Sequence, residues 1–141
     1  MKLLFTGDGS PEYRAELETK SKALGLKGQV IFTGTVRPQD ILSIADVMCL
    51  PSQIEGQAIA ALEALAMKVP VIRTKTGGYL DMADCVDGVD YGDVDALAAA
   101  LEKNLAGGQE IDDRVERACK KARADWDIET TIDKYEEVYQ S

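Results

Sequence analysis

The chain of 141 residues is long enough for one domain with a hydrophobic core. Its net charge of −9 argues against binding to nucleic acid or to an anionic membrane, because like charges repel. It contains no histidine, which excludes Ser-His-Asp and Cys-His catalysis and histidine-ligated metal sites. Its cysteines lack CxxC spacing, which is typical of core thiols in a reducing compartment. We recognise no signal peptide and no membrane-spanning run, and we expect a cytoplasmic protein.

Strands and helices alternate through most of the chain. We predict strands over Leu3–Thr6, Gln29–Thr33, Val47–Leu50, Val69–Thr74 and, more weakly marked, Cys85–Val89. We predict helices from Pro11 to before Gly25, over Pro38–Ala45, after Glu55, and over Asp93–Ala106, Glu110–Ala124 and Ile128–Tyr139. This alternation predicts an α/β fold, a doubly wound parallel sheet of about five strands with helices on both faces. We interpret residues 1–141 as a single Rossmann-like domain.

The expected ligand site lies at one edge of this sheet. In open parallel sheets, ligands bind at the carboxyl ends of the strands, where the strand order reverses. The loops at those ends contain Gly7–Gly9, Gly34–Arg37, Glu55 and Gly77-Gly78. The first of these loops resembles the start of a dinucleotide fingerprint, but its third glycine and the acidic residue after the second strand are missing. We therefore do not expect a dinucleotide site.

The segment Ser52–Ala66 is the hardest part of the chain to explain as scaffold. It leads from a predicted buried strand into a segment that is apolar on every face, which indicates a buried helix. Glu63 lies inside that helix, and a polar group should meet it because burying an unpaired carboxylate is costly. Glu55, in the loop before the helix, is a second carboxylate, with seven residues between the two. We expect both to border one cleft.

The start of the same helix predicts an anion site. The N–H groups of Gln57, Ala58 and Ile59 lack partners within a helix and favour a phosphate. Gly56 allows a ligand to approach the backbone closely. One small volume can therefore hold a diphosphate at the helix start and hydroxyl groups at the two carboxylates.

Several short motifs occur in a fixed order along the chain. They are Leu4–Gly9, Val30–Gly34, Ala45-Asp46-Val47, Pro51-Ser52, Glu55-Gly56, Leu62-Glu63-Ala64, Pro70-Val71 and Gly77-Gly78. The series resembles the retaining nucleotide-sugar glycosyltransferases of family 4 (group 1), which have the GT-B fold and two glutamates separated by seven residues. The resemblance covers most of the chain. It implies a carboxyl-terminal domain that binds a nucleotide-diphospho-sugar as donor substrate, with no cofactor and no metal.

The resemblance also implies roles for individual residues. Glu55 is expected to contact the hydroxyl groups of the donor sugar at the catalytic centre, and Glu63 to accept hydrogen bonds from the nucleotide ribose. The backbone N–H groups of Gly56, Gln57 and Ala58 are expected to meet the sugar and the diphosphate.

Other positions carry weaker expectations. Gly7 and Gly9 belong to the loop after the first strand, which fits the family pattern, and Val36 and Arg37 match the family loop that packs on the nucleobase. A plain loop between a strand and a helix explains Val36 and Arg37 nearly as well. For Glu55 the alternative is an ordinary solvated loop carboxylate.

Parts of the family pattern are changed or missing. Asp81 replaces a glutamate, and Lys68 replaces a glycine, which would crowd the end of the helix. By resemblance, the sequence lacks the amino-terminal, acceptor-binding domain. It also lacks the first strand and helix of the donor domain, with an Arg and a Lys that neutralise the diphosphate. We expect the chain alone to be a poor catalyst or none, since such electrostatic contacts are worth orders of magnitude in rate.

Three functions stay open. The chain is a fragment or donor domain of a glycosyltransferase, a donor-binding subunit with a separate acceptor-binding partner, or an orphan α/β domain without activity. For the sheet, pairing Leu3–Thr6 directly with Val47–Leu50 would close the gap left by an absent strand and give the order 2-1-3-4-5. We expect this closed monomer rather than a swapped homodimer in which a second chain fills the gap.

Overall fold

Along residues 1–140, which the computed structural model describes, five strands and six α-helices follow the predicted order. The strands are Leu3–Thr6 (β1), Val30–Gly34 (β2), Met48–Leu50 (β3), Val71–Thr74 (β4) and Asp87–Val89 (β5). The helices are Pro11–Ala23 (α1), Pro38–Leu42 (α2), Ile59–Ala66 (α3), Val94–Ala106 (α4), Gln109–Asp125 (α5) and Ile128–Gln140 (α6). A turn of 3-10 helix, Leu80–Met82, lies between β4 and β5. None of the helices in this part of the chain is long and apolar enough to cross a membrane.

Capping side chains fix the starts of two helices, each within one residue of the predicted start. The Ser10 side chain accepts a hydrogen bond from the Tyr13 N–H at 3.1 Å, and Pro11 opens α1. The Asp93 carboxylate accepts from the Ala96 N–H at 2.9 Å at the start of α4. Both starts agree with the sequence because a local hydrogen bond fixes them.

The strands form two parallel sheets within residues 1–140. In one, β1 pairs with β2, and Phe5 lies opposite Phe32. In the other, β4 is the central strand, and Ile72 lies opposite both Cys49 of β3 and Asp87 of β5. Parallel strands connected by helices confirm the predicted α/β fold class.

The predicted order 2-1-3-4-5 in one continuous sheet is not confirmed. The order within each sheet agrees with it, but among the described residues Leu3–Thr6 does not pair with Met48–Leu50. The prediction rested on the backbone hydrogen bonds that such pairing would gain. That gain is small, because β3 has only 3 residues.

By their internal contacts the residues divide into two compact units, Met1–Ile41 (the first unit) and a second unit that begins at Leu42. No residue of the first unit is buried. Its Phe5 and Phe32 rings stack with centroids 5.2 Å apart. On α1, Tyr13 remains 58% exposed and Leu17 is half-buried.

The second unit has a hydrophobic core between its sheet and its helices. The core includes Ala61, Ala64, Leu65, Val71, Met82, Cys85, Val86, Ala118 and Ala122. Helices α3 and α5 are joined at one carbonyl, because the Cys119 thiol and the Arg123 guanidinium both donate to the Ala66 oxygen, at 3.4 and 2.9 Å. This core fixes which face of α3 is turned inward.

The end of α3 adopts a conformation that usually requires glycine. Lys68 has φ +61°, its N–H donates to the Leu65 carbonyl, and the Val69 N–H donates to the Ala64 carbonyl. These two bonds form a Schellman motif with lysine at the left-handed position. The Lys68 side chain is exposed and its ammonium lies 2.7 Å from the Glu116 carboxylate, so the expected crowding of the helix end does not occur. The hydrogen bond with Glu116 raises the pKa of Lys68.

Candidate functional site

The loop between β3 and α3 leaves the start of the helix open. The helix begins at Ile59, so Gln57 and Ala58 are in the loop rather than in the first turn. Ala58 occupies the N-cap position, and no side chain caps the helix. The first N–H groups of α3, at Ile59 and Ala60, therefore lack partners within the helix, which favours an anion at this end.

Glu55 is held in place and is not an ordinary solvated loop carboxylate. Its side chain is half-buried and accepts a hydrogen bond from the Ser52 hydroxyl at 2.7 Å. The Ser52 carbonyl in turn accepts from the Thr74 hydroxyl at 2.6 Å. The end of β4 thus orients the carboxylate through one intermediate residue.

The glycine loop after β4 lies directly against the Glu55 loop. A Cβ atom on Gly77 would be 2.1 Å from the Glu55 carbonyl oxygen, and one on Gly78 would be 2.7 Å from the Gly56 carbonyl oxygen. Gly78 also has φ +69°, which an L side chain rarely adopts. The sequence predicted that this loop brings backbone close to a ligand. In the structure it brings backbone close to the loop that carries Glu55.

Two further side chains fix the glycine loop, and the sequence analysis missed both. The Arg73 guanidinium is 1% exposed and donates to the Gly77 carbonyl at 2.7 Å. The Tyr79 ring packs against Gly88, where a Cβ would be 2.3 Å from the Tyr79 hydroxyl. The available signal was a charged residue inside an otherwise apolar predicted strand. Lys75–Asp81 line an open groove of about 560 Å³ beside this loop.

Glu63 is half-buried on α3, and within residues 1–140 its carboxylate has no hydrogen bond or ion pair. Only one face of α3 is buried, through Ala61, Ala64 and Leu65. Ile59 is 67% exposed, so the prediction of a helix buried on every face is wrong. The eight residues of α3 pack on one side against β3, β4 and α5 and on the other side meet no core. Glu63 is therefore a free acceptor beside the open helix start.

The candidate residues of the first unit form their own local contacts. The Gly7 N–H donates to the Gly34 carbonyl at 2.9 Å, and Gly7 has φ +98°. Gly9 is exposed and Val36 is half-buried. The exposed Arg37 guanidinium pairs with Asp40 through two hydrogen bonds of 2.9 Å.

The described residues contain no group of three or more His, Cys, Asp or Glu side chains that could hold a metal ion. Burial raises the pKa of the Cys49 and Cys85 thiols to about 11, so neither is a reactive thiolate near neutral pH. The second unit therefore contains the carboxylates of Glu55 and Glu63, the uncapped start of α3, and the glycine loop at Gly77-Gly78. Such a set can bind hydroxyl groups and an anion.

Comparison with known proteins identifies the family. Residues 1–107 match the family described as Glycosyl transferases group 1. The chain is 30% identical over 142 aligned positions to the N-acetyl-alpha-D-glucosaminyl L-malate synthase of Bacillus anthracis, covering 98% of this chain and 37% of that protein. It thus spans a little over a third of that relative's length.

Solved structures show the same fold. HepE from Anabaena, solved in complex with UDP, superposes with a TM-score of 0.92 at 20% identity, covering 99% of this chain and 41% of that one. The carboxyl-terminal domain of the group 1 protein LpcC from Francisella tularensis superposes with a TM-score of 0.80 at 23% identity, covering 90% of this chain and 70% of that one. These matches confirm the Rossmann-like, GT-B type of fold. The family match over most of the chain shows that it belongs to the group 1 glycosyltransferases.

Proposed function

We propose that this chain is the donor-binding domain of a retaining glycosyltransferase of family 4 and that it binds a nucleoside diphosphate sugar. The proposal treats residues 1–141 as one binding domain. It is supported by the family match and by HepE, whose structures contain UDP, UDP and glucose, or UDP-glucose. The free, largely buried thiols Cys85 and Cys119 support a reducing, cytoplasmic location.

The observation that carries the proposal is that α3 has both a carboxylate without a partner, Glu63, and uncapped N–H groups at its start. A half-buried carboxylate without a partner among the described residues is a strong acceptor for two neighbouring hydroxyl groups, as in a ribose. Uncapped N–H groups at Ile59 and Ala60 favour a diphosphate. A nucleoside diphosphate carries both groups next to each other.

We propose the remaining roles from the family resemblance. Glu55, oriented by Ser52, contacts hydroxyl groups of the donor sugar. The backbone N–H groups of Gly56, Gln57 and Ala58 meet the sugar and the diphosphate.

The first unit has a smaller part in this proposal. Val36 and Arg37 pack on the nucleobase of the donor, and Gly7 and Gly9 contribute weakly to donor binding. The exposed Arg37 is held by Asp40, which gives this loop a defined shape.

Transfer of the sugar needs an acceptor site as well. The chain covers 37% of its relative from Bacillus anthracis. We propose that the acceptor site lies in the remaining part of such a protein or in a separate subunit, and that the chain by itself binds donor without transferring sugar. We propose that the chain is a monomer and that the acceptor-binding partner is a different domain or subunit. The alternative assembly is a swapped homodimer of two copies of this chain.

Calorimetric titration with UDP, GDP, ADP and their glucose or mannose conjugates tests the proposal. We expect at least one nucleotide to bind at micromolar to millimolar concentration. Glu63→Gln should weaken that nucleotide about tenfold, because a charge-assisted hydrogen bond is lost. Glu102→Gln, an exposed carboxylate on α4, is the matched control and should leave affinity unchanged.

Glu55→Ala tests the division of roles. It should leave affinity for the nucleotide nearly unchanged and reduce the preference for the nucleotide sugar. An equal loss for both ligands would show that the role assigned to Glu55 is wrong. If no nucleotide binds at millimolar concentration, the orphan-domain function replaces the proposal.

A further inference from the structure

Arg73 is a buried cation without a carboxylate partner. It is 1% exposed, and within residues 1–140 its hydrogen bonds go to neutral atoms: the Gly77 carbonyl at 2.7 Å, the Met82 sulfur at 3.2 Å and the Thr74 carbonyl at 3.3 Å. Burying a guanidinium without a counter-charge is costly. A leucine or methionine would fill the same space in β4 without that cost. Filling the core therefore does not explain why this position of β4 has a charged side chain.

The first effect of Arg73 is on the peptide between Gly77 and Gly78. Within residues 1–140 every peptide bond is trans, and in a trans peptide the C=O and the next N–H point in opposite directions. Because the Gly77 C=O points at the guanidinium, the Gly78 N–H points away from it. Among the described residues that N–H has no hydrogen-bond partner. The buried charge thus fixes and polarises one free backbone donor.

The second effect of Arg73 reaches Glu55. The backbone of Gly77 touches that of Glu55 so closely that a Cβ atom would be 2.1 Å from the Glu55 carbonyl oxygen. Thr74, next to Arg73, holds the Ser52 carbonyl, and the Ser52 hydroxyl holds the Glu55 carboxylate at 2.7 Å. Consecutive residues of β4 therefore support Glu55 from two sides, one through the glycine loop and one through Ser52.

We propose that Arg73 is a positioning residue of the donor site. It holds the Gly77-Gly78 peptide so that the Glu55 loop keeps its shape and the Gly78 N–H stays available to the sugar of the donor. This inference rests on the proposed function. It goes further in assigning discrimination between a nucleotide sugar and its nucleotide to a residue that touches neither.

Arg73→Ala tests this role by chemical rescue. With UDP-glucose and UDP, or GDP-mannose and GDP, as probes, the variant should lose about tenfold in affinity for the nucleotide sugar and less than twofold for the nucleotide. Guanidinium chloride at roughly 20 mM should restore the preference by entering the space left by the side chain. Urea at the same concentration has nearly the same shape without the charge and should not restore it. Met82→Leu removes only the sulfur contact and should leave the preference unchanged.

A readout without ligand separates this inference from the proposed function. In a ¹H–¹⁵N spectrum of the free protein, the Gly77 and Gly78 amide signals should shift in Arg73→Ala and return with guanidinium. If the wild type binds no nucleotide but the signals shift and return, the proposed function fails while the positioning of the loop stands. If Arg73→Ala does not fold, Arg73→Lys replaces it and should show a smaller loss of preference. An unchanged preference in a folded variant, or amide signals that stay in place, would overturn the inference.

Discussion

The two units are built from the same strand–helix–strand pattern, yet only the second buries side chains. The difference lies in the helices. α1 has six charged residues among 13, whereas α3 has one, Glu63, among eight. In the first unit Leu3 and Ile31 remain 47% and 42% exposed, whereas Leu65 and Val71 of the second unit are 1% and 0% exposed. The order of the strands and helices is therefore the same kind in both units, and what differs is the number of charged residues on the helix. A helix with few charged residues can bury one face against the sheet and form a core.

A leucine from each unit gives the largest expected contrast. Leu65→Ala removes a side chain from the centre of the core and should lower the free energy of unfolding by about 3 kcal/mol. Leu3→Ala removes a half-exposed side chain and should cost less than about 1 kcal/mol. Urea denaturation followed by far-ultraviolet circular dichroism measures both. Equal losses would mean that the first unit has a covered core as well.

Burial in the second unit should also lower the rate at which a cysteine thiol is alkylated. Burial raises the pKa of Cys49 from 9.0 to about 11, which lowers its thiolate fraction near pH 8 about 100-fold. Iodoacetamide should therefore modify Cys49 far more slowly than a thiol introduced into α1 by Ala15→Cys, as measured by mass spectrometry. Because the folded-state pKa is raised, burial of the Cys49 thiol stabilises the fold fully below pH 9. That contribution is lost as the pH rises through 11. Equal rates near pH 8 would contradict the burial of Cys49.

We expect an ion pair of the second unit to contribute more to the free energy of unfolding than an ion pair of the first unit. Asp87 accepts hydrogen bonds from Arg114 and from the Asn104 amide, and the side chains of Asp87 and Arg114 are only 21% and 12% exposed. Asp87→Asn should cost about 2 kcal/mol in the free energy of unfolding, since it leaves a partly buried guanidinium unpaired. In the first unit, the Arg14–Glu18 pair is 56% and 42% exposed. Glu18→Gln should cost less than about 0.5 kcal/mol by the same urea titration, and a larger loss there would show that α1 is more constrained than its exposure suggests.

Backbone conformation gives the smallest expected effect. The first unit places glycine at each of its positive φ angles within the described residues, whereas the second places Lys68 at φ +61°. Lys68→Gly should raise the melting temperature by roughly 3 °C in scanning calorimetry, because the left-handed conformation no longer opposes a Cβ atom. Lys68→Ala loses the same ion pair with Glu116 but keeps the Cβ, and it should not raise the melting temperature. A rise in both variants would locate the gain in the side chain and not in the backbone.

Local patterns in the sequence predicted the elements well. Apolar runs placed β1 to β5, and the predicted starts at Pro11 and Asp93 lie within one residue of the observed starts of α1 and α4, because each signal lies within a few residues of what it determines. The two glutamates were singled out by the ordered series of motifs around them, and their binding roles stay predictions. What could not be predicted depends on contacts between distant segments. The support of Glu55 by Arg73 and Thr74, and the division into two sheets, arise from packing that no local pattern contains.

The close contact between the Gly77-Gly78 loop and the Glu55 loop limits which substitutions the protein can tolerate. With less than a methyl group's room at Gly77 and Gly78, random libraries at these positions should return glycine and little else. Substitutions near the site should be tolerated better at exposed neighbours such as Gln53, Gln57 and Leu80. Under the proposed function, those are the positions where we expect substitutions to change which donor is preferred while the two loops keep Glu55 in place.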